Sequence, residues 1–152
     1  MTVRDAPLAD LDPATLYAIL RLRTDVFVVE QECPYPELDG RDLEPSARQL
    51  WIDGPDGTVA ATLRLLRDAN GDARIGRVAT AVDARGAGLA AQLMTRAIEL
   101  AGDAEIVLDA QSHLTSWYAR FGFAPDGDEF VEDGIPHTPM RRTAAAAHTV
   151  QG

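Results

Sequence analysis

Between Asp83 and Met94 the chain reads DARGAGLAAQLM. Glycines at 86 and 88 let backbone approach a ligand with no Cβ in the way. Arg85 adds a cation, and the start of a helix adds outward-facing N–H groups. Together they could hold a phosphate-bearing anion. Two ligands suit the spacing. Gly86-x-Gly88-x-x-Ala91 fits the dinucleotide fingerprint of a Rossmann unit. Arg85-x-x-Gly88-x-Ala90 fits the pyrophosphate of coenzyme A. The other side chains with chemistry to offer are Tyr118, whose alternative is a tyrosine packed in the core with its hydroxyl satisfied, and Glu30, His113 and His137, each of which could equally be an ordinary solvated or hydrogen-bonded residue. Cys33, the only cysteine, reads as a small buried or half-buried side chain.

Local pattern sets the elements that carry these residues. Asp12 before Pro13 is a capping carboxylate followed by proline at the first helical position. Leu16, Ile19, Leu20 and Phe27 recur at helical spacing, so a helix is predicted from Pro13 to Val28. Residues 30–45, rich in proline and acid, read as a soluble loop. Three strands are predicted in ARQLWIDG, TVAATLRLLRD and ARIGRVATAV, the first two as a hairpin. A helix begins at Gly88, with Leu89, Leu93 and Ala97 on its inner face, and Gly102 stops it. EIVLDAQ is a central strand. SHLTSWYARFG is a short helix with Ser112 as its cap, and residues 123–143 hold two final strands. The expected architecture is a mixed sheet with helices on its faces, an α/β protein.

The 152 residues suggest one domain, 1–142, and a flexible tail, 143–152. A net charge of −10 argues against nucleic acid as a partner. No apolar run approaches the roughly 20 residues of a membrane span. The first residues lack the apolar block of a secretion signal, so a cytoplasmic location is expected. No metal site is expected. Arg21 and Arg23 interrupt the first helix, and the default for both is a solvated or ion-paired face.

The dinucleotide reading has strand, glycine loop and helix in the right order, with Asp109 at a suitable distance. Against it, a helix and a β-meander precede the loop, and only one β-α-β unit comes after it. The second reading gathers more residues, and through them the chain resembles the GNAT acetyltransferase superfamily. RGAGLA, residues 85–90, matches the family's pyrophosphate loop, Q/R-x-x-G-x-G/A. WYARFGF, residues 117–123, is similar to its Tyr-x-x-x-Gly-Phe segment. Gln111 stands where the family often has Asn, and Leu114 where Ala is common. LYAILRLRTDVFVVEQECPYPELDGRD, AQSHLTSWYARFGF and EDGIPHTPMRR resemble the ElaA-like subgroup, so the likeness spans about residues 13–142.

The resemblance implies a GNAT-like acyl-CoA N-acyltransferase fold. It implies acetyl transfer from acetyl-CoA to an amine of a small molecule or peptide. Arg85, Gly86, Ala87, Gly88, Leu89 and Ala90 would hold the pyrophosphate. The backbone of Val78, Ala79 and Thr80, with Gln111, would hold the pantetheine arm. Tyr118 would protonate the departing thiolate, and Glu30 is the first candidate base, ahead of His113, His137 and water. The segment EDGIPHTPMRR would line the acceptor mouth or support a homodimer. The rival from another class is a non-catalytic acyl-CoA-binding regulatory module.

Overall fold

The computed structural model describes residues 2–143; the expected tail lies outside them apart from Thr143. Eight strands form one sheet. β1 (Val3–Ala6), β2 (Arg48–Asp53), β3 (Val59–Arg67) and β4 (Ala73–Thr80) make an antiparallel meander. β5 (Ile106–Gln111) runs parallel to β4. β6 (Ala124–Pro125) and β7 (Phe130–Glu132) both pair with β8 (Ile135–Arg142), which lies antiparallel to β5. The fold is therefore the expected mixed sheet with two strands more than the sequence pattern placed. β1 escaped it because four residues carry too little alternation to stand out.

Alternation along β2 sorts the core into two faces. Leu50 and Ile52 join one apolar cluster, with Leu93, Met94 and Ala97 of the later helix; Trp51 joins another, with Ile19, Leu22 and Val26. α1 (Pro13–Thr24) covers the second face, and Asp12 caps it by accepting from Thr15 N at 2.8 Å. α2 (Leu89–Ala101) covers the first. Burying a leucine such as Leu93 completely contributes about 1.5–3 kcal/mol.

Past Thr24 the first helix does not continue as an α-helix to Val28. Asp25–Glu30 form wider turns, with Gln31 N bonded to Val26 O and Cys33 N to Val28 O, five residues back. The branched run Val26, Val28 and Val29 crowds an α-helical backbone, which favours that loosening. α3 (Thr115–Ala119) starts three residues later than expected. Ser112 is not its cap: it opens a short 3-10 turn, and its hydroxyl pairs with Thr138 Oγ1 at 2.9 Å.

The acidic loop is not simply solvated. Arg23 is fully buried and binds Glu37 at 2.6 Å and Asp42 at 2.8 Å, both themselves buried. Arg64 grips Asp39 at 2.7 and 2.8 Å, and Gln49 donates to Asp42. The bonds from Arg64 hold the Asp39 carboxyl far below the usual carboxylate range. Buried charges persist only when paired in this way, so the loop is tied to α1 and β3 by its carboxylates. Arg21, by contrast, stays exposed opposite Asp25.

A bulge interrupts the pairing of β3 with β4. Thr62 pairs with Ala79 and Arg64 with Gly76, so Arg77 and Val78 together face the single residue Leu63. Arg77 has φ 54°, in the left-handed region, which costs a non-glycine residue roughly 1–2 kcal/mol. Beyond the pairs Ala73–Ile106 and Arg74–Val107, β4 and β5 no longer pair.

Candidate active site

A cleft of about 940 Å³ opens where β4 leaves β5. Of the residues singled out in the sequence, Glu30, Val78, Ala79, Thr80, Arg85, Ala90, Gln111 and Tyr118 line it, with His113 and His137. Residues from the end of the first helix, β4, β5, α3 and the last hairpin thus meet in one place. Gly86, Ala87 and Gly88 lie on the exposed loop between Arg85 and Ala90 rather than in the lining. Leu89 points its side chain into the core, leaving only its backbone for a ligand.

The loop suits an anion. Gly86 and Gly88 have φ 87° and 75°, and a Cβ built at either meets no atom within 4 Å. Glycine is needed there for backbone conformation, and the space above it is open. Gly88 is the N-cap residue of α2, and no side chain caps that end. The first-turn N–H groups and the positive end of the helix dipole are therefore free of a side-chain partner.

On β4, Ala81 N donates to Ala60 O across the β3 edge at 2.8 Å. Strand alternation turns Ala79 to the same edge and presents the backbone of Val78 and Thr80 to the cleft. Of the three expected β4 contacts, Ala79 directs its backbone to β3, and its side chain joins the cluster beneath α1. Thr80 O accepts from Arg85 Nε at 3.1 Å. The two terminal nitrogens of Arg85 grip Glu30 at 2.6 and 2.8 Å. The bond from Arg85 lowers the Glu30 pKa, and the same bond raises that of Arg85.

Tyr118 is 7% exposed, with its ring edge-on to Trp117 and Phe123. Its hydroxyl has no partner within the described residues, yet it is not among the sealed, unpartnered atoms Gln49 Oε1, Trp51 Nε1 and Arg64 Nε. Burial pushes its pKa up to about 12. The hydroxyl is thus a neutral donor in reach of the cleft. His137 is stacked on Phe130 and bonded through Nδ1 to Ile135 O at 2.8 Å. The last hairpin lines the cleft with Glu132, Asp133, Ile135 and His137. Among the described residues no group of three or more His, Cys, Asp or Glu side chains could hold a metal ion, and no helix is long and apolar enough to cross a membrane.

Tyr35, Arg64 and Arg77 also line the cleft, beyond the residues that sequence reasoning reached. Arg64 carried a usable signal, as a charge inside the otherwise apolar run VAATLRLL. Tyr35 carried none, because only the folded loop brings it to β4.

Residues 27–144 match the family described as acetyltransferase (GNAT) domain. Protein ElaA of Escherichia coli K12 is 37% identical over 150 residues, covering 95% of this chain and 97% of that one. A UPF0039 protein of Mycobacterium tuberculosis is 54% identical over 136 residues, 88% and 87% of the two chains. The crystal structure of an acyl-CoA N-acyltransferase from Pseudomonas aeruginosa superposes with TM-score 0.88 at 44% identity, covering 94% of this chain and all, 100%, of that one. The crystal structure of Escherichia coli ElaA gives TM-score 0.86 at 36% identity, covering 93% and 98%. With the ends of the glycine loop, the split sheet and the tyrosine meeting at one cleft, this chain belongs to the GNAT acetyltransferases, in their ElaA-like subgroup.

Proposed function

We propose that the protein moves an acetyl group from acetyl-CoA to a primary amine of a small molecule or peptide by direct attack. One observation carries the reading: Arg85 and Ala90, the two ends of the uncapped glycine loop of α2, line the same cleft as the split of β4 from β5 and Tyr118, whose hydroxyl has no partner among the described residues. The N–H groups of residues 86–90 fit a pyrophosphate, and the cleft-facing backbone of Val78 and Thr80 fits the amides of a pantetheine arm, beside Gln111. When bound, acetyl-CoA supplies an activated acyl carbon and a thiolate leaving group. The Thr80 N–H, on the cleft edge, stabilises charge developing on the acyl oxygen.

Tyr118 donates toward the sulfur. A thiol has a reference pKa near ~8.5, so complete transfer from a group at about 12 is uphill by roughly 5 kcal/mol. The apolar surroundings that raise the tyrosine raise a thiol as well, which narrows the gap. Tyr118 therefore acts chiefly as a hydrogen-bond donor in the transition state. Glu30 is a poor base while Arg85 holds it. It becomes available to the amine when a phosphate draws Arg85 away.

That competition has a measurable sign. Glu30→Gln removes the carboxylate that Arg85 must leave, so CoA should bind about two- to fivefold more tightly, the worth of an exposed pair. Titration calorimetry on both proteins checks it. Equal or weaker binding by the variant would mean that the pair does not compete with the cofactor.

The function is tested first by ligand choice. Acetyl-CoA or CoA at about 100 times Kd should raise Tm by roughly 5–10 °C, because a ligand of the native state alone adds about 2.7 kcal/mol. NAD and NADP should leave Tm unchanged. An acceptor screen with free-thiol detection, across polyamines, amino acids, aminoglycosides and peptides, then separates an enzyme from a regulatory module. Acetyl-CoA binding without release of free CoA thiol in the presence of any amine would favour the module.

A further inference from the structure

The cleft exists because β4 turns away from β5, and the residue at that turn is an outlier. Arg77 opens the bulge with φ 54°, a conformation that glycine adopts freely. The neighbouring Gly76 is not the residue in the left-handed region. The chain thus places a long charged side chain where a bulge of this kind suits glycine.

The side chain accounts for the choice. Arg77 Nε donates to Glu37 Oε2 at 2.9 Å, and Nη2 to Glu37 O at 3.2 Å. Its guanidinium carbon lies 5.6 Å from the centre of the Tyr35 ring. Tyr35 in turn donates to Glu37 Oε1 at 2.5 Å. Glu37 is buried and also held by Arg23 at 2.6 Å, so the anchor reaches α1. Arg77 Nη2 also reaches Asp39 Oδ2 at 3.5 Å, so the bulge is fastened at four points to a loop distant in sequence.

We propose that Arg77 is a positioning residue for the transfer: its pairing with Glu37 holds the bulge open and so keeps the backbone of Val78 and Thr80 presented to the cleft. The inference rests on the proposed acetyl-CoA site. It accounts for an arginine in a strained conformation, and it gives Glu37 a part in catalysis through the bulge.

The test compares Arg77→Ala, Arg77→Gly and Arg77→Asn with wild type, in CoA titrations and in steady-state kinetics with the amine found by the screen. Alanine keeps the backbone cost and loses the anchor. Glycine loses both. Asparagine tolerates the left-handed region better than most side chains but is too short for Glu37. The expected result is kcat about tenfold down for alanine, within about fivefold of wild type for glycine and asparagine, and amine KM within about threefold throughout. Loss of a ligand contact cannot produce that order, since all three variants lack the guanidinium. Equal loss in all three, with raised amine KM, would make Arg77 an acceptor-binding residue and overturn the proposal; so would wild-type kcat in the alanine variant. If the alanine variant does not fold, the other two decide: retained kcat supports the proposal and a tenfold loss in both overturns it. Wild-type protein that binds no CoA overturns the site reading itself and the inference with it, whatever the variants do.

Discussion

CoA affinity should fall by roughly 10²–10⁴ in Gly88→Glu, while the protein stays folded. That range corresponds to the loss of two charge-assisted hydrogen bonds at about 1.5–3 kcal/mol each. A Cβ at 88 meets no atom within 4 Å, so the side chain sets out into open space rather than the core. Its backbone cost is that of a non-glycine residue at φ 75°, roughly 1–2 kcal/mol. The introduced carboxylate stands at the uncapped N-terminus of α2, where the helix dipole favours it, and so takes the position proposed for the phosphate. Gly88→Ala separates the backbone cost from the charge. Arg85→Ala should cost less, about 1–3 kcal/mol, since Glu30 and Thr80 already occupy that guanidinium. Calorimetric titration beside a melting curve is the measurement. Unchanged CoA affinity in a folded Gly88→Glu protein would remove this loop from the phosphate site.

Tyr118→Phe should lower kcat by about 10², the low end for loss of a general acid, because water can stand in for the hydroxyl. Stability and CoA affinity should barely change. The ring keeps its packing on Trp117 and Phe123. The hydroxyl has no protein partner among the described residues, so its removal strands no buried group. An interaction made mainly in the transition state lowers kcat and kcat/KM together. The pH profile gives a second check. With its pKa pushed up to about 12, Tyr118 stays protonated through the working range, so the variant and wild type should share any alkaline limb below about pH 10. Near wild-type kcat would remove Tyr118 from the chemistry. CoA affinity lost in step with kcat would make it a packing or pantetheine residue.

Local pattern was enough for most elements that carry this cleft. The capping Asp12, the turn-bounded apolar runs of β2 to β5 and the 3.6-residue period of α2 are short-range signals, set by neighbours a few positions away. The glycine loop was readable for the same reason, since its function lies in backbone conformation at consecutive residues. The segment WYARFGF identified Tyr118 through family likeness, whereas its burial and its unpartnered hydroxyl emerged only once β5, β8 and α3 were packed together.

The α/β class, most of the element order and the glycine loop ahead of α2 were thus legible in the chain alone, because each rests on residues adjacent along it. Which charges are free depends instead on the tertiary structure. Arg85 and Glu30 stand 55 residues apart and looked like independent site residues, yet they neutralise each other. The acidic loop looked solvated and Arg23 solvated or ion-paired, yet Arg23 is buried in ion pairs with Glu37 and Asp42 of that loop, themselves buried. The bulge at Arg77, which opens the cleft, depends on that loop as well. Such pairings are long-range: their partners come together only when the sheet closes, and burial makes each unpaired charge too costly to leave.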